Sequence, residues 1–210
     1  MLFECFATTG VNIMLFGAGH VGKALVPLLA QLPCKVTWVD SREAEFPVNA
    51  EQYDNVLKVV SDAPELEVAS MPENSYFIVM THNHQMDFEI SQAILKRADF
   101  HYLGLIASDT KWRRFKQRYK HRDIDENQVA RMNCPIGLSQ VGGKLPMEVA
   151  ISVSAEIINI YQAEQTKVAQ LDEILEQSEE HSSTTPVNKK RPKSQQGIHW
   201  QELKQLLNTD

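Results

Sequence analysis

The chain has 210 residues, of which 21 are lysine or arginine and 27 are aspartate or glutamate, so its formal net charge is −6. This acidic balance argues against non-specific nucleic-acid binding. The sequence contains no apolar run near the ~20 residues that a membrane span needs. Its three cysteines, Cys5, Cys34 and Cys134, are widely spaced and include no C-x-x-C pair. We therefore expect a cytoplasmic protein with free thiols and no metal site.

The first predicted strand, residues 11–16, leads into the glycine pattern G-x-G-x-x-G and then into a predicted helix over residues 23–32. Gly17 permits a tight turn, Gly19 lets a phosphate approach the backbone, and Gly22 lets helix and strand pack closely. The amino end of the helix adds free N–H groups that favour an anion. We therefore predict that five residues of this turn bind a cofactor: Gly17, Gly19, His20, Val21 and Gly22.

Asp40 directly follows the second predicted strand, residues 35–39, and lies 18 residues after Gly22. This is close to the usual position of the acid that binds a ribose in dinucleotide-binding folds. Strand, turn, helix and acid together predict a Rossmann-type ligand-binding fold. The alternative is an α/β domain in which the glycines serve only packing and the turn binds nothing.

Strand-like and helical segments alternate along the rest of the globular part. Further strands are predicted over residues 56–60, 76–81 and 102–106, and helices over 64–69, 88–97, 110–119 and from Pro146 onward. Such alternation, with nearly continuous apolar strands, is typical of a parallel sheet covered on both faces. The predicted fold is α/β, a Rossmann-like doubly wound parallel sheet of about five strands with a long C-terminal helix and a flexible tail.

The composition changes at about Leu171. Residues 1–170 are predicted to form the Rossmann-like domain, whereas residues 171–198 are polar and charged and are predicted to be a flexible linker. Residues 199–208 place Trp200, Leu203 and Leu207 at helical spacing and predict a short amphipathic helix. A frayed tail is the alternative for this last segment.

Polar residues lie at and just after the end of the fourth predicted strand, where the carboxyl ends of parallel strands form ligand sites. Thr81, His82 and His84 lie there, and the two histidines can act as acid or base, ligate a metal or bind a phosphate. In the alternative interpretation, Asn83 or Asp87 caps the next helix and one histidine merely packs.

Two further segments supply candidate cofactor-binding residues. Ser108 can cap the helix after the fifth strand, and Lys111 can face an anion at its start; an acidic partner surface or a solvated basic face would equally explain the cations that follow. Cys134 precedes a proline in a loop with glycine turns. It is either a soft ligand or sulfur-handling thiol, or a small buried hydrophobic residue.

Seven sequence blocks occur in the order found in XdhC-like xanthine dehydrogenase accessory proteins. They are FGAGHVGKAL (16–25), WVDSR (38–42), VMTHNH (79–84), AILKR (93–97), GLIASDTK (104–111), CPIGL (134–138) and GKLP (143–146). The chain resembles this family over about residues 11–161, most of its globular part. The family usually carries an additional N-terminal domain, so the chain resembles the C-terminal Rossmann-like domain only. It has Ala107 where the family commonly has glycine.

The resemblance implies a chaperone in purine catabolism rather than an enzyme. Such proteins bind the molybdenum cofactor (molybdopterin), assist its sulfuration with a cysteine desulfurase and help load it into xanthine dehydrogenase. A homodimer is plausible for this kind of protein. One alternative is an NAD(P)-dependent oxidoreductase that uses the same turn, with His82 or His84 as the acid–base group. Another is a fragment that keeps the fold without ligand affinity.

Overall fold

The computed structural model describes residues 10–182. Its elements are β1 (Val11–Phe16), α1 (His20–Leu29), β2 (Cys34–Asp40), β3 (Val56–Val60), α2 (Pro64–Glu67), β4 (Tyr76–Val79), α3 (His84–Arg97), β5 (Tyr102–Leu105), α4 (Asp109–Lys120), α5 (Glu126–Ala130), β6 (Met132–Asn133) and α6 (Pro146–Ser182). Short 3₁₀ turns at Glu43–Glu45, Ala50–Gln52 and Val68–Ser70 complete the connections.

The six strands form one sheet in the order β3-β2-β1-β4-β5-β6, and every neighbouring pair is parallel. This is the strand order of the dinucleotide-binding Rossmann fold, and it confirms the predicted fold class. The sixth strand is one more than the predicted number. It has only two residues, Met132 and Asn133, which pair with Leu103 and Gly104, so its sequence is too short to show a strand pattern.

Apolar side chains of the central strands point alternately to two hydrophobic cores. Ile13 and Leu15 of β1 pack on one face, beneath α1 and α6. Met14 and Phe16 pack on the other face, beneath α3 and α4. Burial on both faces explains why the strands are continuously apolar. Because the neighbouring strands are all parallel, their carboxyl ends lie at the same edge of the sheet.

Two helices begin three or four residues earlier than the sequence predicts. Helix α1 begins at His20 rather than at residue 23, with Gly19 as its N-cap, because a glycine in the first turn masks the helical pattern. Helix α3 begins at His84 rather than at residue 88, because the Asn83 side chain accepts hydrogen bonds from the Gln85 and Met86 amides. Both loops therefore end at a helix amino terminus.

Helix α6 begins at Pro146, as predicted, and runs to Ser182. Residues 171–182 of the predicted linker are thus helical, because they contain no proline or glycine and are rich in helix-favouring glutamate, glutamine and leucine. Of the described residues, those up to 165 belong to one compact unit and those from 166 onward to another. The remaining linker, 183–198, and the predicted helix 199–208 lie outside the described residues. Within residues 10–182, no helix is long and apolar enough to cross a membrane.

Candidate functional site

The strand order reverses between β1 and β4, and the loops that follow these two strands flank the crevice where such sheets bind ligands. The turn of residues 17–22, which we call the cradle, follows β1, and Thr81 follows β4. Asp40 ends β2 on one side, and Ser108 follows β5 on the other. The fold therefore brings four of the predicted segments to one edge of the sheet.

Two of the cradle glycines are required by packing. Gly17 has a φ of +121°, and a Cβ there would collide with the Met80 carbonyl oxygen. A Cβ at Gly22 would collide with the Gly17 carbonyl oxygen, which also accepts a 3.0 Å hydrogen bond from the Trp38 indole nitrogen. The buried Trp38 ring thus supports the turn from the adjacent strand.

Gly19 differs from the other two glycines, because a Cβ at this position would have no heavy atom within 4 Å. It is the N-cap of α1 and provides no side-chain hydrogen bond to the first turn. The first helical bond runs from the Lys23 amide to the Gly19 carbonyl over 2.9 Å. The amides of His20, Val21 and Gly22 precede that bond, so the helix terminus has the open space and the donors that a phosphate needs.

The side chains of the two remaining cradle residues differ in exposure. His20 is exposed to solvent, and Val21 is half-buried against the core beneath α1. The cradle therefore offers backbone amides, one imidazole and little other polar chemistry. These features suit a phosphate group approached by the backbone.

Asp40 is buried at the end of β2, and both of its carboxylate oxygens are occupied. Oδ2 accepts hydrogen bonds from the Ala18 amide at 2.7 Å and from Arg42 Nη2 at 3.0 Å. Oδ1 accepts from the Arg42 amide at 2.9 Å and from Arg42 Nε at 3.0 Å. Burial acts to raise the pKa of Asp40, but the hydrogen bonds from Arg42 and Ala18 outweigh it and hold the pKa below its ordinary value.

A second carboxylate, Glu45, joins the cations beside the cradle. Glu45 Oε2 lies 2.8 Å from Lys23 Nζ, and Glu45 Oε1 lies 3.4 Å from Arg42 Nη1. The hydrogen bond and charge of Lys23, together with the charge of Arg42, lower the pKa of Glu45. One connected charge network is therefore formed by Lys23, Glu45, Arg42 and Asp40. Sequence analysis did not select Glu45, because no motif marks its position on the 3₁₀ turn.

The loop after β4 is tied to a buried ion pair. The Asp87 carboxylate accepts hydrogen bonds from the Thr81 amide at 2.9 Å and from the Thr81 hydroxyl at 2.7 Å. Its other oxygen lies 2.5 Å from Lys111 Nζ, which also donates to the Ile106 carbonyl at 2.9 Å. Lys111 was predicted to face an anion, and the anion that it faces in the structure is the Asp87 carboxylate.

The two histidines of this loop lie at the surface. His82 and His84 are both exposed, whereas Asn83 caps α3 with its side chain. The capping role weighed for Asn83 is therefore present in the structure. Among residues 10–182 no group of three or more histidine, cysteine or acidic side chains converges as a metal site.

Ser108 and Cys134 complete the set of predicted residues. Ser108 caps α4 by accepting a 3.3 Å hydrogen bond from the Lys111 amide. Cys134 is half-buried and lines a cavity of about 600 Å³ with Trp112, Lys116 and Met132. Burial raises the pKa of its thiol to about 11, although Lys111 and Lys116 oppose the shift. The thiol is therefore protonated at neutral pH.

Helix α6 holds the loop that contains Cys134, through residues that sequence analysis did not select. Glu156 accepts hydrogen bonds from the Gly137 amide at 2.8 Å, from Asn133 at 3.0 Å and from the Tyr102 hydroxyl at 2.6 Å. One turn earlier, Ser152 donates to the Leu138 carbonyl over 3.2 Å. Ser152 and Glu156 are four residues apart and so lie on the same face of α6, which is the sequence signal that could have identified them.

Comparison with known proteins identifies the family. The family model of the XdhC Rossmann domain matches residues 13–157. The chain belongs to the XdhC Rossmann-domain family. This XdhC domain is 29% identical over 153 residues to the uncharacterized protein YqeB of Escherichia coli K12, and 28% identical over 152 residues to a probable xanthine dehydrogenase subunit of Bacillus subtilis 168.

The matches cover most of this chain and less than half of each relative. They span 71% and 70% of the XdhC domain's chain but 27% of YqeB and 42% of the Bacillus subtilis protein. A crystal structure of a xanthine dehydrogenase from Bacillus halodurans superposes with a TM-score of 0.63 at 23% identity, covering 76% of this chain and 46% of that one. At this identity the likeness concerns the fold alone.

Proposed function

We propose that this XdhC domain binds the molybdenum cofactor and assists its sulfuration and its insertion into xanthine dehydrogenase. The observation that carries the proposal is the open space at Gly19, beside the uncapped first-turn amides of α1. Molybdopterin bears a phosphate, which a helix amino terminus is suited to bind. The name of one relative, a probable xanthine dehydrogenase subunit, supports the link to the client enzyme.

The cradle would hold the phosphate through backbone N–H groups. The amides of His20, Val21 and Gly22 belong to the first turn of α1, where the positive end of the helix dipole favours an anion. The adjacent His20 side chain is exposed and supplies a further donor. When bound, the cofactor carries the molybdenum redox centre that the client enzyme uses.

The loop after β4 would bind the part of the ligand away from the phosphate. Thr81 is held through Asp87 and Lys111, so the backbone that presents His82 is fixed before a ligand arrives. Preorganisation of this kind lowers the entropy lost on binding. His82 and His84 are exposed and are accessible for contact with a polar heterocycle.

Sulfur transfer is assigned to the cysteine desulfurase rather than to Cys134. Burial raises the pKa of the Cys134 thiol to about 11, and a protonated thiol is a poor nucleophile. The domain would therefore hold and protect the cofactor while the desulfurase supplies sulfur. This division of labour is that of a carrier, not of a catalyst.

An NAD(P)-dependent oxidoreductase is the competing function, favoured by the strand order and by the position of Asp40. A single experiment separates the two. Purified protein is mixed with released molybdenum cofactor, the bound pterin is oxidised to its fluorescent derivative and counted, and NAD(P) binding is followed by calorimetry. Stoichiometric pterin with no nicotinamide binding supports the carrier, and the reverse result supports the oxidoreductase.

The role of the histidine loop is tested on the same protein. We expect His82→Ala to weaken cofactor retention while the protein stays folded, because the imidazole is exposed and makes no contact that the core requires. Arg113→Ala is the matched control, since it removes an exposed side chain from the surface of α4. Full cofactor retention by His82→Ala would remove this histidine from the site.

A further inference from the structure

We infer that Arg42 closes the ribose subsite of the cradle, so that the domain binds its ligand through a single phosphate and excludes nicotinamide dinucleotides. The inference rests on the proposed function only for the identity of the accepted ligand. The exclusion itself follows from the contacts of Asp40, the residue at which a Rossmann fold normally binds the ribose diol.

The Asp40 carboxylate has no acceptor position left for a ribose. A carboxylate offers about four lone-pair sites on its two oxygens, and four N–H groups already contact those of Asp40. Two come from backbone amides, one of Ala18 at 2.7 Å and one of Arg42 at 2.9 Å. The other two come from the Arg42 guanidinium, each at 3.0 Å.

The guanidinium is a strong competitor for this carboxylate. Its Nε and Nη2 atoms bind one oxygen each, in the two-point geometry that is characteristic of strong arginine–carboxylate pairs. The Asp40 side chain is only 3% exposed, whereas that of Arg42 is 34% exposed, so the carboxylate end of the pair is shielded from solvent. A neutral hydroxyl would have to replace a charged donor in this position.

Glu45 holds Arg42 from the opposite side. Its carboxylate lies 3.4 Å from Arg42 Nη1 and 2.8 Å from Lys23 Nζ. Lys23 follows the cradle in the first turns of α1, so the network closes around the amino end of the helix. Arg42 is thus held between two carboxylates, and the charge of each cation in the network is balanced within the domain.

Removal of the Arg42 side chain would restore the ribose subsite. In Arg42→Ala, Oδ1 keeps the amide of residue 42 and Oδ2 keeps the amide of Ala18. One acceptor position is then freed on each oxygen. This matches the two hydroxyl groups of a 2′,3′-diol.

The test compares NAD⁺ binding by wild type and by Arg42→Ala, measured by calorimetry on the full chain. We expect NAD⁺ binding by the wild type to be too weak for calorimetry to detect, and binding by Arg42→Ala to be at least about tenfold tighter than that detection limit. The direction of the change in NAD⁺ affinity distinguishes the inference from a simple charge effect. Loss of a positive charge alone would weaken the binding of an anionic dinucleotide.

Two further variants guard the interpretation. Arg113→Ala removes an equal charge from the exposed face of α4 and should gain no NAD⁺ binding. Arg42→Lys keeps the charge but cannot form the two-point pair, and it should show a smaller gain if Arg42→Ala fails to fold. The gain should disappear with 2′-deoxy-NAD⁺, which lacks one of the two hydroxyl groups.

Binding of NAD⁺ or NADP⁺ by the wild type would overturn the inference, because Arg42 would then yield to a ligand. A folded Arg42→Ala or Arg42→Lys variant without gain would also overturn it. Failure of the proposed function is measured separately, because it would appear as an absence of bound pterin in the wild type. A wild type that binds neither pterin nor NAD⁺ but gains NAD⁺ binding on Arg42→Ala would support the closed subsite and reject the carrier.

Discussion

Lys111 Nζ donates a 2.5 Å hydrogen bond to Asp87 Oδ2, and the two side chains are 8% and 0% exposed. Asp87 lies in the first turn of α3 and Lys111 in the first turn of α4, so this ion pair joins the loops that follow β4 and β5. Through Thr81, Asp87 also fixes the backbone at the crevice. The pair links the stability of the domain to the shape of its site.

Replacement of Lys111 by methionine should destabilise the domain by about 3 to 5 kcal/mol, because it leaves the Asp87 carboxylate buried without its cation. The free energy of unfolding is measured by urea titration. Asp87→Asn with Lys111→Met should recover much of the loss, since no net charge is then buried. Equal destabilisation by the single and double variants would contradict the ion-pair account.

Alanine substitutions at two cradle glycines should differ in their effect on stability. Gly17→Ala should destabilise the domain by about 1 to 3 kcal/mol, because Gly17 has a positive φ and its Cβ would collide with the Met80 carbonyl. Gly19→Ala should cost no more than about 1 kcal/mol, because its Cβ meets open space and the only loss is that of a favourable N-cap residue. Thermal unfolding of both variants measures the difference, and equal melting temperatures would contradict it.

Acid stability should depend on Asp40. Its pKa is lowered in the folded domain, so the folded state releases this proton more readily than the unfolded state. The resulting stability is present above the unfolded pKa of about 3.9 and is lost as the pH falls through the lower folded value. Asp40→Asn should therefore flatten the stability profile below about pH 4, measured by urea titration at each pH. An unchanged profile would show that Asp40 is not the group responsible.

Alkylation should reveal the protonated state of Cys134. Because burial raises its pKa to about 11, the thiol should react with iodoacetamide far more slowly at neutral pH than in the urea-unfolded chain. The rate should rise toward pH 11, as followed by peptide mass spectrometry. Fast labelling of folded protein at neutral pH would indicate a lowered pKa and would support a role for Cys134 in sulfur transfer.

The sequence predicted the fold well where a pattern was local. The continuous apolar run of β1 and the proline at the start of α6 gave the correct boundaries at Val11–Phe16 and Pro146. The missed strand, Met132–Asn133, owes its conformation to pairing with β5 and not to its own two residues. The start of helix α1 was predicted three residues too late, because Gly22 interrupts the helical pattern of its first turn.

The site was harder to predict, because its chemistry depends on contacts between distant segments. The positions of the cradle and Asp40 follow from strand order, but the pairing of Asp40 with Arg42 depends on the turn between them. Lys111 was selected as a cation facing a ligand, yet its partner Asp87 lies 24 residues away in sequence. The role of Gly19 stays a prediction, since open space at its Cβ supports a ligand without identifying it.

The measurement that tests the central claim most directly is the pterin count of Gly19→Val against wild type and Gly142→Val. A Cβ at Gly142, as at Gly19, would have no heavy atom within 4 Å, so neither substitution forces a Cβ against a neighbouring atom. We predict about one pterin per chain for wild type and Gly142→Val, and at least about tenfold weaker binding for a folded Gly19→Val. A folded Gly19→Val variant that retains wild-type pterin would contradict the claim that the cradle binds the phosphate.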